Sequence, residues 1–265
     1  MTRKYALAGV IAGLTLFAAC TTAPAAVTTT AASSAPAQTA AAPGGQENVD
    51  DFIARIVAAQ ATVRTYSVEL NTKTAIGGTE MTIKGDGVVD QTDRNAMNIA
   101  MNMDMGGLEM ELIKLGDQMY IKMAAAGDSW FSIPKDKMDQ YSSGTNVDYA
   151  EMLANAKESI TKVTYVGDDT VDGTSTSHYR LTMAGDALGK MGGTGTETST
   201  KVDGDSFDYD LWLDDADLTR KVAMELTMVV ESQKVPMKLL SSVGDYNEPV
   251  TITAPSKDKI SELPG

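Results

Sequence analysis

From residue 66 onward, apolar side chains recur at every second position in one short run after another, and this pattern constrains the fold most. A period of two places the apolar side chains of each run on one face of a β-strand. Turn sequences such as Gly77-Gly78, Gly106-Gly107 and Asp172-Gly173 separate the runs, and short turns join antiparallel neighbours. The sequence therefore predicts a meander of antiparallel strands.

Two segments have the helical period of about 3.6 residues instead. Residues 49–64 carry apolar side chains at helical spacing and have Asn48 or Asp50 as a candidate N-cap. Residues 147–160 read as a second helix, 184–191 are compatible with a short third one, and the Gly/Thr-rich segment 192–205 is expected to be a mobile loop. The expected strands are 66–74, 79–89, 95–105, 108–115, 118–123, 129–133, 162–171, 175–183, 206–213, 220–231 and 235–246, with a final edge segment at 250–253.

So many antiparallel strands in one sheet have to curl or close. Helices that interrupt runs of consecutive strands pack to one side of such a sheet. The predicted fold class is α+β, with a strongly curved antiparallel half-barrel of about 10–11 strands and helices packed on its concave face.

The N-terminus indicates the cellular compartment. Arg3 and Lys4 precede an apolar run from Tyr5 to Ala19, which suits a secretory signal and is too short to span a bilayer. The run ends Leu16-Phe-Ala-Ala-Cys20, with the only Cys of the chain, and resembles a bacterial lipobox whose Leu stands one place early. The alternative is an ordinary signal peptide cleaved near Ala19, with Cys20 incidental.

Residues 21–46 contain no charged side chain and consist mainly of Thr, Ala, Pro and Ser, which is typical of a disordered tether. The predicted organisation is a signal peptide at 1–19, a lipidated Cys20 with its tether at 20–46, and a folded domain at 47–265. Acyl chains such as palmitate on Cys20 would hold the domain on the extracytoplasmic face of the cell membrane.

Composition excludes several classes of protein. The net charge of −14 argues against a nucleic-acid partner, because phosphate binding needs a basic surface. One Cys excludes an internal disulfide framework, and one His leaves no His-rich metal centre. The sequence has no nucleophile elbow, P-loop or dinucleotide fingerprint. We therefore expect no cofactor and no enzymatic activity.

Two groups of polar residues could be read as functional sites, but the sequence favours solvent-facing positions for both. The aspartates between Asp203 and Asp217 lack the spacing of an EF-hand loop, so a solvated acidic face is expected. His178 alternates with apolar neighbours and is predicted to point to solvent, as are Asp208 and Asp210.

The chain has sixteen methionines, and eight of them allow three interpretations: Met81, Met97, Met101, Met103, Met105, Met110, Met119 and Met123. They could form an ordinary core, line an adaptable cavity for acyl chains, or bind Cu(I) through the thioethers of Met101-Asn-Met-Asp-Met105. Period two places these methionines on one side of neighbouring strands, with few large aromatics to fill the space, which favours the cavity. The candidate lining is Met81, Ile83, Met97, Ile99, Met101, Met103, Leu108, Met110, Leu112, Met119, Ile121, Met123, Met224, Leu226 and Met228.

The layout as a whole resembles the LppX/LprA/LprF/LprG-type actinobacterial lipoproteins, whose fold is related to that of the LolA and LolB carriers. The similarity covers about residues 47–265 and begins with the opening helix before Tyr66-Ser-Val-Glu-Leu. Its further motifs are Gln118-Met-Tyr-Ile-Lys, Ser129-Trp-Phe-Ser-Ile-Pro, Tyr209-Asp-Leu-Trp-Leu-Asp-Asp-Ala-Asp-Leu-Thr-Arg, Val243-Gly-Asp-Tyr-Asn-Glu-Pro-Val and Thr253-Ala-Pro.

This resemblance implies a curved half-barrel with a hydrophobic cavity, used to carry or present a lipid or glycolipid in the cell envelope. It supplies no catalytic residues, and cavity positions vary within the family. A monomer with an envelope transporter as a possible partner is expected. The alternative function is a structural or interaction lipoprotein of an envelope complex, with a filled core and no ligand.

Overall fold

The computed structural model describes residues 43–76, 78–94, 96–133, 149–188, 201–230 and 233–262. The signal segment, Cys20 and most of the predicted tether lie outside these residues. So do the end of the predicted 184–191 helix and most of the predicted 192–205 loop.

The described elements follow the predicted order closely. The helices are α1 (Val49–Gln60) and α2 (Tyr149–Asn155). The strands are β1 (Gln46–Glu47), β2 (Thr65–Ile76), β3 (Thr79–Asp90), β4 (Asn98–Met105), β5 (Glu109–Leu115), β6 (Gln118–Met123), β7 (Trp130–Ile133), β8 (Ile160–Val171), β9 (Thr174–Ala184), β10 (Lys201–Val202), β11 (Ser206–Leu213), β12 (Thr219–Val230), β13 (Gln233–Gly244) and β14 (Ile260–Glu262).

All of these strands belong to one open, curved sheet, which confirms the predicted fold class. Its order is β1-β8-β9-β11-β12-β13-β2-β3-β4-β5-β6-β7-β14, with β10 paired to β12. Neighbours are antiparallel except β7 and β14, which are parallel. Residues 44–46, at the end of the predicted tether, lie at the β8 edge, where Gly44 donates to the Tyr165 carbonyl at 2.8 Å.

The predicted edge segment at 250–253 is wrong, because these residues form no strand. Asn247 donates its N–H to the Thr65 carbonyl at 2.9 Å, and the Thr65 hydroxyl donates to the Glu248 carbonyl at 2.6 Å. These contacts fasten the chain to the start of β2 immediately after β13. The chain reaches a sheet edge only at β14, beside β7.

Helix α1 begins where its predicted N-cap stands. The backbone N–H of Asp51 donates to the Asn48 side chain at 3.1 Å, and two aspartates in the first turn suit the helix dipole. The helix ends at Gln60 rather than at residue 64. The Arg64 N–H donates to the Asn247 side chain at 2.8 Å, so a contact with the distant C-terminal segment directs the chain into β2.

The two helices cover one face of the sheet, which we call the apolar face. Phe52, Ile53 and Ile56 of α1 are buried, and the Phe52 ring lies 4.9 Å from the ring of Tyr179 on β9. Helix α1 also contacts α2 and β8, and Leu153 of α2 is fully buried. The core of the domain therefore lies between this face and the helices.

Candidate functional site

Strand register places the predicted lining residues on the apolar face, except Met97 and Leu108, which stand just before β4 and β5 and have no ladder partner. Side chains paired across an antiparallel ladder share a face, so the pairs form rows that cross the sheet. One row runs through Met101, Leu112 and Ile121, and the next through Met103, Met110 and Met123, which we call the methionine row. A further row joins Met224 on β12 through Leu239 and Thr72 to Ile83 and Met105.

Burial divides the predicted lining into a packed part and a partly open part. Ile99, Met101, Leu112, Met119, Ile121, Met224 and Leu226 are buried and belong to the core. The methionine row, Met81, Ile83, Met97 and Met228 are only half-buried, and Leu108 is 44 % exposed. The ordinary-core interpretation therefore applies to the first group, while the second leaves apolar surface accessible.

Two glycines of β3 make room for methionine side chains on the apolar face. Gly87 pairs with Met101, and a Cβ atom at Gly87 would stand 2.6 Å from the Met101 Cγ. Gly85 pairs with Met103, and a Cβ atom there would stand 3.5 Å from the Met103 Cγ. The side chain of Met101 thus lies in a furrow that only glycine leaves open. Sequence reasoning missed this, although the Gly-Asp-Gly at 85–87 was the available signal.

Lys114 is a second residue that sequence reasoning missed. It pairs with Ile99 on β4 and Met119 on β6, so a charged side chain stands in an apolar row. Its ammonium donates to the Met97 carbonyl at 3.3 Å. The available signal was a break in alternation, since Met110 and Leu112 predict an apolar residue at position 114.

A groove lies on the opposite face of the sheet, which we call the polar face. It has a volume of about 800 Å³ and is lined mainly by polar side chains, including Glu69, Lys84 and Asp86. Of the predicted lining residues it touches only Met103 and Met110. This groove is distinct from the predicted acyl cavity.

His178 belongs to an ion-pair cluster on the polar face. It lies on the predicted side of the sheet, yet its side chain is only 16 % exposed because it stacks on Trp212 at a centroid distance of 4.1 Å. Its Nε2 lies 2.8 Å from Asp210, which also accepts from Arg180 at 2.9 Å. Burial would raise the pKa of Asp210, but the hydrogen bonds from His178 and Arg180 outweigh it and lower that pKa. The cluster joins β9 to β11.

The Asp-rich turn after β11 uses its first carboxylate to hold the backbone. Asp214 accepts from the N–H groups of Ala216 and Leu218 and from Arg220 at 2.7 Å. Within the described ranges, no group of three or more His, Cys, Asp or Glu side chains is placed to hold a metal ion. None of the described helices has both the length and the hydropathy needed to cross a bilayer.

The chain is similar to a known protein family and to solved structures of two lipoproteins. A family model described as LppX_LprAFG lipoprotein matches residues 51–252. Among solved structures, LprF from Mycobacterium bovis is similar with a TM-score of 0.53 and 14 % identity, covering 80 % of this chain and 100 % of LprF. Lipoprotein LppX from Mycobacterium tuberculosis has a TM-score of 0.50 and 14 % identity, covering 77 % and 98 %. A comparison with curated protein sequences gives no match. At this identity the structural likeness concerns the fold.

Proposed function

The chain belongs to the LppX_LprAFG lipoprotein family, and from that premise we propose that it binds the acyl chains of a lipid or glycolipid on its apolar face. It would carry or present that lipid in the cell envelope. The observation that carries the proposal is the half-buried methionine row, which extends the apolar face beyond the packed core.

Physical chemistry supports this use of the methionine row. Burying an acyl chain contributes about 0.8 kcal/mol per CH₂ removed from water. Methionine is flexible and polarisable, so Met103, Met110 and Met123 can adapt to chains of different length and shape. A rigid aromatic lining would select one shape.

We propose that Cys20 carries the membrane anchor. Signal cleavage before Cys20 and acylation of its side chain would place the domain outside the membrane on an uncharged tether. Replacing Cys20 with Ser should move the protein from the membrane fraction to the soluble fraction. Retention of the Cys20→Ser variant in membranes would contradict the anchor.

A binding role without catalysis fits the polar groups of the domain. The imidazole of His178 is engaged with Asp210 and stacked on Trp212, so its contacts are those of a structural residue. A His178→Ala variant should therefore take up lipid as the wild type does. Loss of an activity in that variant would argue for an enzyme.

The direct test is organic extraction of the purified protein followed by mass spectrometry of the extract. A stoichiometric lipid is expected. Absence of any co-purifying lipid would favour the structural or interaction lipoprotein instead.

Substitutions on the two faces of β5 separate these alternatives further. Met110→Trp adds bulk to the methionine row and should lower the bound lipid about tenfold, a loss of about 1.4 kcal/mol in binding free energy. Glu109→Trp, on the neighbouring position of the polar face, is the matched control. If Met110→Trp lowers the melting temperature without lowering the bound lipid, Met110 belongs to a filled core.

A further inference from the structure

Three methionines of the β4–β5 hairpin, Met103, Met105 and Met110, lie together at the rim of the core, and we call them the methionine triangle. Met103 and Met105 stand two residues apart on β4, and Met110 is the ladder partner of Met103 on β5. All three are half-buried. Of the described side chains, Met110 packs against the core cluster, but Met103 and Met105 do not. Core packing therefore does not explain why β4 carries methionine at these two positions.

The spacing within the methionine triangle suits a single metal ion. Cβ atoms that face each other across an antiparallel ladder are about 5 Å apart, those two residues apart on a strand about 6–7 Å, and diagonal neighbours about 7–8 Å. The centre of such a triangle is about 4 Å from each Cβ atom, within reach of a side-chain sulfur and a metal–sulfur bond of about 2.3 Å. Methionine has three rotatable side-chain bonds, so all three sulfur atoms can turn towards this centre.

The surroundings of the methionine triangle determine which ion fits. Thioether sulfur is a soft ligand and suits Cu(I), whereas carboxylates suit Mg²⁺, Ca²⁺ and Mn²⁺. Alternation directs Asp104 and Glu109, the carboxylates next to the triangle in sequence, onto the polar face. The imidazole of His178 also lies on the polar face, bound to Asp210. On the apolar face, the described residues of this hairpin therefore offer sulfur and neither carboxylate nor imidazole.

The reverse side of the hairpin favours a cation at the methionine triangle. Asp104 and Glu109 are ladder partners, so two negative charges face each other, an arrangement that destabilises a sheet. Asp104 accepts the Gly107 N–H at 2.6 Å, a contact that leaves its charge uncompensated. A monovalent cation on the opposite side of the same two strands would be attracted by both carboxylates through a thin layer of protein.

We propose that Met103, Met105 and Met110 bind one Cu(I) ion through their thioether sulfurs. Met101, although it belongs to the same sequence motif, is not a ligand, because its side chain is buried in the furrow above Gly87. The inference goes beyond the proposed function and does not depend on it. The ion would share Met103 and Met110 with the lipid site, so Cu(I) and an acyl chain would compete there.

The test follows the methionine methyl groups by NMR during a metal titration. The full chain carrying Cys20→Ser, which removes the only thiol, is prepared with isotope-labelled methionine and freed of lipid with cyclodextrin. Cu(I) is added without oxygen as its acetonitrile complex. The signals of Met103, Met105 and Met110 should move together and stop moving at one ion per chain. The signals of the fully buried Met119 and Met183 should stay in place.

Met105→Leu is the decisive variant, because Met105 belongs to the methionine triangle but not to the methionine row. It should weaken Cu(I) binding at least about tenfold, since even the loss of a residue that only supports a metal ligand costs that much. Leucine keeps the apolar volume, so the fold should be retained. Met237→Leu is the matched control and should bind Cu(I) as the parent does. Met237 is also half-buried on the apolar face, but its ladder partners are Leu226 and Thr74.

Several outcomes would overturn the inference. It fails if the first equivalent of Cu(I) leaves the three signals in place or moves those of other methionines instead. It also fails if Met105→Leu binds Cu(I) as tightly as the parent, if Met237→Leu weakens binding equally, or if Zn²⁺ moves the same three signals at the same concentration. Lipid binding is measured separately by organic extraction, so either proposal can fail while the other stands.

Discussion

Replacing Gly87 with Ala places a methyl group in the furrow that the Met101 side chain occupies. The added Cβ atom would stand 2.5 Å from the Ala100 carbonyl oxygen and 2.6 Å from the Met101 Cγ. The side chain can rotate away, but the carbonyl belongs to the paired strand β4 and cannot move alone. The neighbouring Gly85 is the matched control, because a Cβ atom there would meet the Asn102 carbonyl oxygen at 3.3 Å and the Met103 Cγ at 3.5 Å.

The expected loss of stability follows from these distances. Overpacking a well-filled site costs about 1–3 kcal/mol, and replacing glycine returns about 0.4–1 kcal/mol through the unfolded chain. We expect Gly87→Ala to lower the free energy of unfolding by about 2 kcal/mol, and the melting temperature by about 4–8 °C for a domain of this size. Gly85→Ala should stay within about 0.5 kcal/mol of the wild type, because its tightest contact, at 3.3 Å, needs a shift of only a few tenths of an ångström.

Urea unfolding, monitored by circular dichroism, measures the free energy of unfolding of both variants and of the wild type. The Gly87→Ala, Met101→Ala double variant relieves the contact with Cγ but not the contact with the Ala100 carbonyl, so it should remain less stable than the Met101→Ala single variant. If Gly87→Ala and Gly85→Ala have equal free energies of unfolding, the close contacts above Gly87 are not what destabilises the Gly87→Ala variant.

Three further predictions concern polar contacts. Asp214→Ala removes the acceptor for two backbone N–H groups and Arg220, and should cost about 2 kcal/mol of unfolding free energy in urea titrations. The hydrogen bond to Asp168, reinforced by burial, raises the pKa of Tyr165 to about 12, so its contribution to stability is present below pH 10 and lost as pH rises towards 12. Ultraviolet titration of tyrosinate should lose one late-titrating group in Tyr165→Phe, and an unchanged titration would contradict the assignment. Because the fold lowers the pKa of Asp210, its carboxylate adds to the free energy of unfolding above about pH 4, and this contribution is lost as the pH falls further. Asp210→Asn removes the titrating carboxylate, so it should flatten the acid limb of a plot of unfolding free energy against pH.

The sequence predicts most of the strands because their signal is local. The period of two in residues 206–213 marks the strand and its buried face without reference to any other segment, and the described β11 has these bounds. The N-cap at Asn48 is equally local. The path from α1 into β2 is not local, because the Arg64 N–H donates to the Asn247 side chain. The pairing of β14 with β7 likewise depends on where the C-terminal segment is fastened.

In the candidate site, too, local sequence predicts some features and distant contacts decide the others. Alternation alone assigns Met101, Met103 and Met110 to one face, and family motifs in the sequence indicate the lipoprotein family that the comparison confirms. Alternation cannot say how deeply each residue is covered. Only the structure separates the buried Met101 from the half-buried Met103 and Met110, because burial depends on which elements lie over each row.

The amino-acid sequence by itself therefore determines which side chains share a face, since that property follows from strand geometry within a few residues. The tertiary structure decides what those side chains meet. It places the Met101 side chain above Gly87, and it sets Lys114 between Ile99 and Met119 with only a carbonyl as a partner among the described residues. Both contacts join residues on different strands, and their register depends on pairing across the whole sheet.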